Sequence, residues 1–353
     1  VSGESTLNIQ TLTGESIKFL DGAIINNSTV GGNVFVAGAV TFRGDNTFAM
    51  LYDFGTLTNN YGTTAPMKWN VEKGASVTLT EKARSGLGYG DEVTVIGNIE
   101  NALTARENLS DDDRSLFMHG LVAQESSGWN CNSKLTVENA YVVLGSNNSF
   151  GNKPVNYGGT YKFDFNNSVV DGSRITFYEA NSQTEFTLTN SDVRIGTFMT
   201  RDADSKFILT GSKVLSTAET NGTDEGNYNA GELVLNNSSL TYTAEFTNTG
   251  VLNIGENSNV KAPTVIDNGT INFTSLTSIL ETATEGLVIT LDSNYPDHKV
   301  VYKDGKYQVV EKDYVAQIGE DNKFETLQEA FDAATEGQTV TVINDVELES
   351  TVT

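Results

Sequence analysis

The chain is poor in sulfur and imidazole, with one cysteine, Cys131, and two histidines, His119 and His298, among 353 residues. A single cysteine excludes an intrachain disulfide framework and a cysteine metal site. Two histidines exclude a His-rich zinc centre and most His-based acid–base schemes. Proline is scarce at 4, and the apolar runs are far too short to span a bilayer, so membrane insertion is not expected. Positive charge is also short. Lys and Arg total 22 against 46 Asp and Glu, a formal net charge of −24. Nucleic acid and anionic membranes would repel such a chain. That balance suits solubility, a crowded outer surface or divalent cations. The glycines of "GLGYGDE" lack the Lys-Ser and the helix of a phosphate-binding loop. The chain opens on Val1 without a signal sequence, as expected of a processed product or an excised segment.

What is present is glycine, 33 residues, with abundant Asn, Thr and Ser. That mix favours turns and β-branched strands over helices. One template recurs: apolar, any, apolar, any, Asn or Gly, Ser or Ala, any, apolar. It reads "LTVENAYV" at Leu135–Val142, "FDFNNSVV" at Phe163–Val170 and "FTLTNSDV" at Phe186–Val193. It continues as "FILTGSKV" at Phe207–Val214 and "LVLNNSSL" at Leu233–Leu240, then with one extra residue as "LNIGENSNV" at Leu252–Val260. An early copy, "AIINNSTV", spans Ala23–Val30. Strict alternation sends Phe163 and Phe165 to one face and their neighbours to the other. One unit cannot bury that face alone, but stacked units can. The spacing predicts an all-β right-handed parallel β-helix over 1–290, with looped coils around 76–133. At about 4.8 Å per coil, a dozen coils make a rod on the order of 60 Å long. A β-sandwich is the rival, but it requires two-residue turn signals that are mostly missing. Asn27, Asn139, Asn167, Asn190 and Asn237 are expected to stack as an Asn ladder, with Gly211 replacing Asn where the backbone needs positive φ.

After about residue 290 the pattern changes. "VVYKDGKYQVV" predicts a hairpin turning at Asp304 and Gly305, and "VAQIGEDNKF" a second, within 291–324. A helix follows in 325–353. Thr326 and Glu329 form a capping box, and Leu327, Ala330, Phe331 and Ala334 make one apolar stripe. Gly337 is expected as its left-handed C-terminal cap. Val340 and Val342 alternate in the strand beyond.

The residues Thr326, Leu327, Ala330, Ala333, Ala334, Gly337, Thr339, Val340 and Val342 resemble the entry module of pectate-lyase-like right-handed β-helices. There an amphipathic helix covers the open first coil and the next strand starts the winding. The phrase "FETLQEAFDAATEGQTVTVINDVEL" is also similar to modules repeated in large bacterial surface proteins. Both resemblances cover about 40 residues. They imply an extracellular structural or adhesin module at a bacterial surface. Its partners would be identical subunits or neighbouring repeats joined head to tail, with host or environmental glycans as further ligands. "NDVELESTVT" runs into "VSGESTLNIQ" without a break in alternation. The expected joint therefore comprises Leu7 and Ile9 at one end and Leu327, Ala330, Phe331, Ala334, Val340, Val342, Val346, Leu348 and Val352 at the other. The joint would be covalent in a tandem array, or strand addition between subunits of a fibre. The alternative is that the terminal module caps its own chain.

Active relatives of that fold imply polysaccharide binding or cleavage. The local candidates are Asp111, Asp112, Asp113 and Arg114, then Asp202 and Asp204, and the pair Asp164 and Asp171. Adjacent acids diverge, a helix N-terminus explains the first run, and calcium needs six to eight oxygens. Trp129, Tyr157 and Tyr161 are candidates for a sugar platform. No catalytic residues, metal or cofactor are expected.

Overall fold

The computed structural model describes residues 6–7, 17–19, 21–36, 38–50, 67–79, 92–118, 132–145, 149–150, 160–177, 183–200, 202–218 and 226–345. They build a parallel β-helix. Its first face is a 13-stranded sheet running from Thr6–Leu7 through Asn132–Glu138, Thr160–Asn166, Gln183–Thr189 and Lys206–Thr210 to Ile289–Leu291. All its pairings are parallel and in step: Leu135 lies under Phe163, which lies under Phe186, then Phe207, Leu233, Leu252 and Ile271. A second face stacks Tyr141–Leu144, Val169–Phe177, Asp192–Thr200, Lys213–Ser216, Ser239–Tyr242 and Asn259–Lys261. The long strands Val169–Phe177 and Asp192–Thr200 also extend into a third face, continued by Asn227–Asn229, Phe246–Asn248 and Val265–Asp267.

The template explains the corner between the first two faces. Two apolar residues point inward, Asn turns the chain, Ser tucks inside the corner, and the next apolar residue begins the second face. The turn needs a left-handed backbone, and Asn27, Asn139, Asn167, Asn190, Asn237 and Asn257 adopt φ of 45° to 53°. Gly211 takes the same place at φ 59°. Asn is among the few residues that accept this conformation, because its short amide bonds locally. Inward columns fuse into one core from Phe19 to Tyr307. Phe165 stacks on Phe186 at 5.2 Å between ring centroids, and Phe198 meets Phe207 at 4.5 Å.

Outward positions of the first face carry charges of both signs. Lys162 pairs with Glu185 at 3.4 Å and Lys206 with Glu232 at 2.9 Å. These solvent-exposed pairs contribute little stability.

The first hairpin comprises His298–Lys303 and Lys306–Glu311 and turns at Asp304 and Gly305, both at positive φ. It pairs antiparallel with the second-face strand Ile279–Glu281. Tyr307 enters the core there, and its hydroxyl accepts from Leu287 N–H at 2.8 Å. The second hairpin, Ala316–Ile318 with Asn322–Phe324, gains a third antiparallel strand, Val340–Val342. The helix Leu327–Ala333 packs on this sheet with both halves of its capping box formed. The module has its own small core of Val315, Ala316, Leu327 and Ala330.

One expectation requires correction here. The helix ends at Ala334, whose backbone is extended, so Gly337 is not its cap. Gly337 keeps its positive φ of 85° in a separate turn, where Gln338 N–H bonds Thr335 O. Within this chain the strand Val340–Val342 closes against Ala316–Ile318 in the antiparallel sense.

Candidate functional site

Ser follows the turn residue inside most corners, with Ala140 taking its place after Asn139. Ser168, Ser191, Ser212, Ser238 and Ser258 are 0–3% exposed. Ser168 N–H donates to Ser191 Oγ at 3.1 Å, Ser191 N–H to Ser212 Oγ at 3.0 Å, and Ser212 N–H to Ser238 Oγ at 3.0 Å. Each hydroxyl donates in turn to the carbonyl two residues back, as Ser238 does to Asn236 at 2.8 Å. A serine ladder therefore runs inside the corner, satisfying donors that would otherwise be buried without partners. The asparagine column beside it is discontinuous. Asn167 Nδ2 donates to Asn139 Oδ1 at 2.7 Å and Asn257 Nδ2 to Asn237 Oδ1 at 3.1 Å. Between them Gly211 lies against Asn190 Oδ1, in space a Cβ would invade. The Ser of the template was visible in the sequence, but its role is set by burial, which spacing does not reveal.

Four of the carboxylates singled out in the sequence, Asp113, Asp164, Asp171 and Asp202, are engaged in the fold. Asp113 accepts from both the N–H and the hydroxyl of Ser110, at 2.9 and 2.8 Å, bonds that hold its carboxyl below the usual range. Arg114 lies over the Phe117 ring at 5.6 Å. Asp202 closes its own turn, accepting from Asp204 N–H and the Ser205 hydroxyl. Asp164 pairs with Lys134 at 2.8 Å on the first face, whereas Asp171 lies on the second. Among the described residues no group of three or more His, Cys, Asp or Glu could hold a metal ion, and no helix is long and apolar enough to cross a membrane. Cys131, His119, Trp129 and Tyr157 lie outside the described residues, and only the backbone of Tyr161 is within them.

A polar cluster around Arg106 was not apparent in the sequence. Residues 97–113 leave the coil of Glu92–Ile96 as a strap along the rod. Ala102 is buried against Ile99 and Val169, and Asn167 binds the strap through Ala102 N–H, Ile99 O and Glu100 O. Arg106, its side chain 8% exposed, reaches Asp171 and Asp192. Tyr141 donates to Asp171 Oδ2 at 2.9 Å, and its burial, then this bond, push the phenol up to about 12. The partners of Arg106 lie 65 and 86 residues away, so no local spacing betrays them.

At the expected joint, Leu327 and Ala330 are buried in the terminal module's own core, with Val340 half-buried beside them. Phe331 is 50% exposed, Val342 55% and Ile343 37%. Ala334 is half-buried. At the other end Leu7 stands opposite Ile25 in the first rung. Ile9, Val346, Leu348 and Val352 lie outside the described residues. The module touches the rod through polar contacts: Tyr314 donates to Asp297 at 3.2 Å, and Lys299 pairs with Glu325. No protein-family model, curated protein or solved structure matches the chain.

Proposed function

We propose that the chain is a structural module of a bacterial cell-surface fibre or adhesin, without enzymatic activity, joined head to tail to its own kind. The joint would be made when the terminal module of one unit, 315–345, covers the first rungs of the next. One observation carries this reading: the module leaves Phe331, Val342 and Ile343 exposed beside a strand, Val340–Val342, that pairs along one edge only among the described residues. A one-sided strand edge with apolar neighbours is a template for pairing. Leu7, in the first strand of the thirteen, has a partner on one side only among the described residues. A contact between unlike ends does not close on itself, so it grows a line. The pectate-lyase-like resemblance supports the same polarity, helix and strand covering a first coil. Secretion to the bacterial surface, and glycans as further ligands, belong to this proposal as well.

Negative-stain microscopy of concentrated protein, with sedimentation velocity across a dilution series, tests it. Filaments one rod wide are expected, together with species that grow with concentration. The double variant Phe331→Asp, Val342→Asp should stay monomeric with unchanged circular dichroism. Wild-type protein that remains monomeric at every concentration would sink the fibre form, and variant filaments identical to wild type would place the joint elsewhere.

A further inference from the structure

The second face holds a cage of acceptors that plays no part in end-to-end joining. Asp192 presents Oδ1 to Arg106 Nε at 2.8 Å and its backbone carbonyl to Nη2 at 2.7 Å. The Val170 carbonyl takes a second Nη2 contact at 3.2 Å, and Asp171 Oδ1 faces Nη1. Asp171 is itself held by the Tyr141 hydroxyl. These acceptors come from two neighbouring coils whose register is fixed: Val170 stands over Val193, and Asp171 over Arg194. Their positions are therefore set by the sheet, not by the strap that supplies the cation.

We propose that this cage is a guanidinium receptor, filled in cis by Arg106, and that its occupancy latches the strap 97–113 across the coils above it. The strap's own coil, at Glu92–Ile96, is followed on the first face by Asn132–Glu138, Thr160–Asn166 and Gln183–Thr189. Arg106 thus reaches a coil three steps along the rod, whereas solenoid coils ordinarily touch only their neighbours. Four donor directions are matched in one plane-faced cation. An ammonium offers three donors from a single point and cannot bridge Asp171 and both oxygens of Asp192 together. Asp171 and Asp192, partly buried beside the strap and deprived of the cation, would be left uncompensated, which is the costly way to break such a group.

The experiment is chemical rescue. Arg106→Ala removes the guest, and hydrogen exchange of amides 99–113 reads the strap. Exchange should accelerate at least about tenfold relative to wild type, because the strap then opens locally while the rod stays folded. Low-millimolar methylguanidinium should restore protection saturably. Methylammonium should not, nor should Arg106→Lys. Adding Asp192→Asn to the Arg106→Ala chain should abolish the rescue. Equal rescue by methylammonium, or none in a folded Arg106→Ala protein, would overturn the receptor. If Arg106→Ala does not fold, Asp192→Asn alone decides: strap exchange should rise while Leu252–Ile254 amides stay protected, and unchanged strap protection would overturn it.

Discussion

Ser191 shows what a corner residue must do. Its hydroxyl accepts from Ser168 N–H and donates to Phe165 O at 3.1 Å, and all three residues are 0% exposed. Ser191→Ala should cost about 1–3 kcal/mol, because it strands a buried donor and a buried carbonyl. Urea titration measures it, and a loss below about 0.5 kcal/mol would mean that water replaces the hydroxyl. The neighbouring Asn190 is constrained by its backbone instead, at φ 49°. A residue with a plain Cβ bears roughly 1–2 kcal/mol of strain there, whereas glycine bears only its entropy, roughly 0.5–1 kcal/mol. Asn190→Ala should therefore be less stable than Asn190→Gly by about 1 kcal/mol, and the opposite order would show that the amide's contacts matter more than its φ. Tyr141 gives a pH dependence. Its phenol rises from 10.0 to about 12 in the fold, so the folded state holds the proton more tightly. Its contribution to stability is complete below pH 10 and is lost as pH rises through 12. Tyr141→Phe should flatten the loss of stability in that window, as followed by denaturation at stepped alkaline pH.

Among the elements, the hairpin His298–Glu311 carries the plainest energetic role. It covers the last coil, with Tyr307 4% exposed in the rod core and its hydroxyl donating to Thr284 O at 3.1 Å. Tyr307→Ala should cost about 3–5 kcal/mol, as large-to-small changes of buried aromatics do. Loss of protection should begin at Ile279–Leu291, which hydrogen exchange can localise. This hairpin was legible in the sequence because Asp304–Gly305 is a local signal between alternating runs. So were the corners, since Asn, Ser and the flanking apolar residues act within eight positions of one another. The helix start was legible for the same reason, through Thr326 and Glu329. Its end was not: Gly337 supplies a left-handed residue, but the backbone is already extended at Ala334 and Gly337 serves a separate turn. Strand direction at Val340–Val342 was equally hidden, because alternation is the same for parallel and antiparallel pairing. The Arg106 latch was invisible because its acceptors become neighbours only after coils at 106, 171 and 192 have stacked.

At the scale of the whole molecule, charge decides how units would meet. Every added subunit brings a formal −24, on a rod whose surface pairs are largely balanced along the first face. Net repulsion acts between approaching ends over about 30 Å at 0.01 M salt and about 8 Å at 0.15 M. The apolar part of the proposed joint, Phe331 with Val342 and Ile343, acts only at contact and is not screened. Salt should therefore promote end-to-end growth: the weight-average sedimentation coefficient at fixed protein concentration is expected to rise between those two salt levels. An ionic joint predicts the reverse, because screening would weaken it. The Phe331→Asp, Val342→Asp chain separates the two further, since salt should not restore its growth when the apolar contact is what holds. If growth falls with salt in wild type and persists in the double variant, the ends meet through charge, and the exposed apolar residues of the terminal module are not the joint.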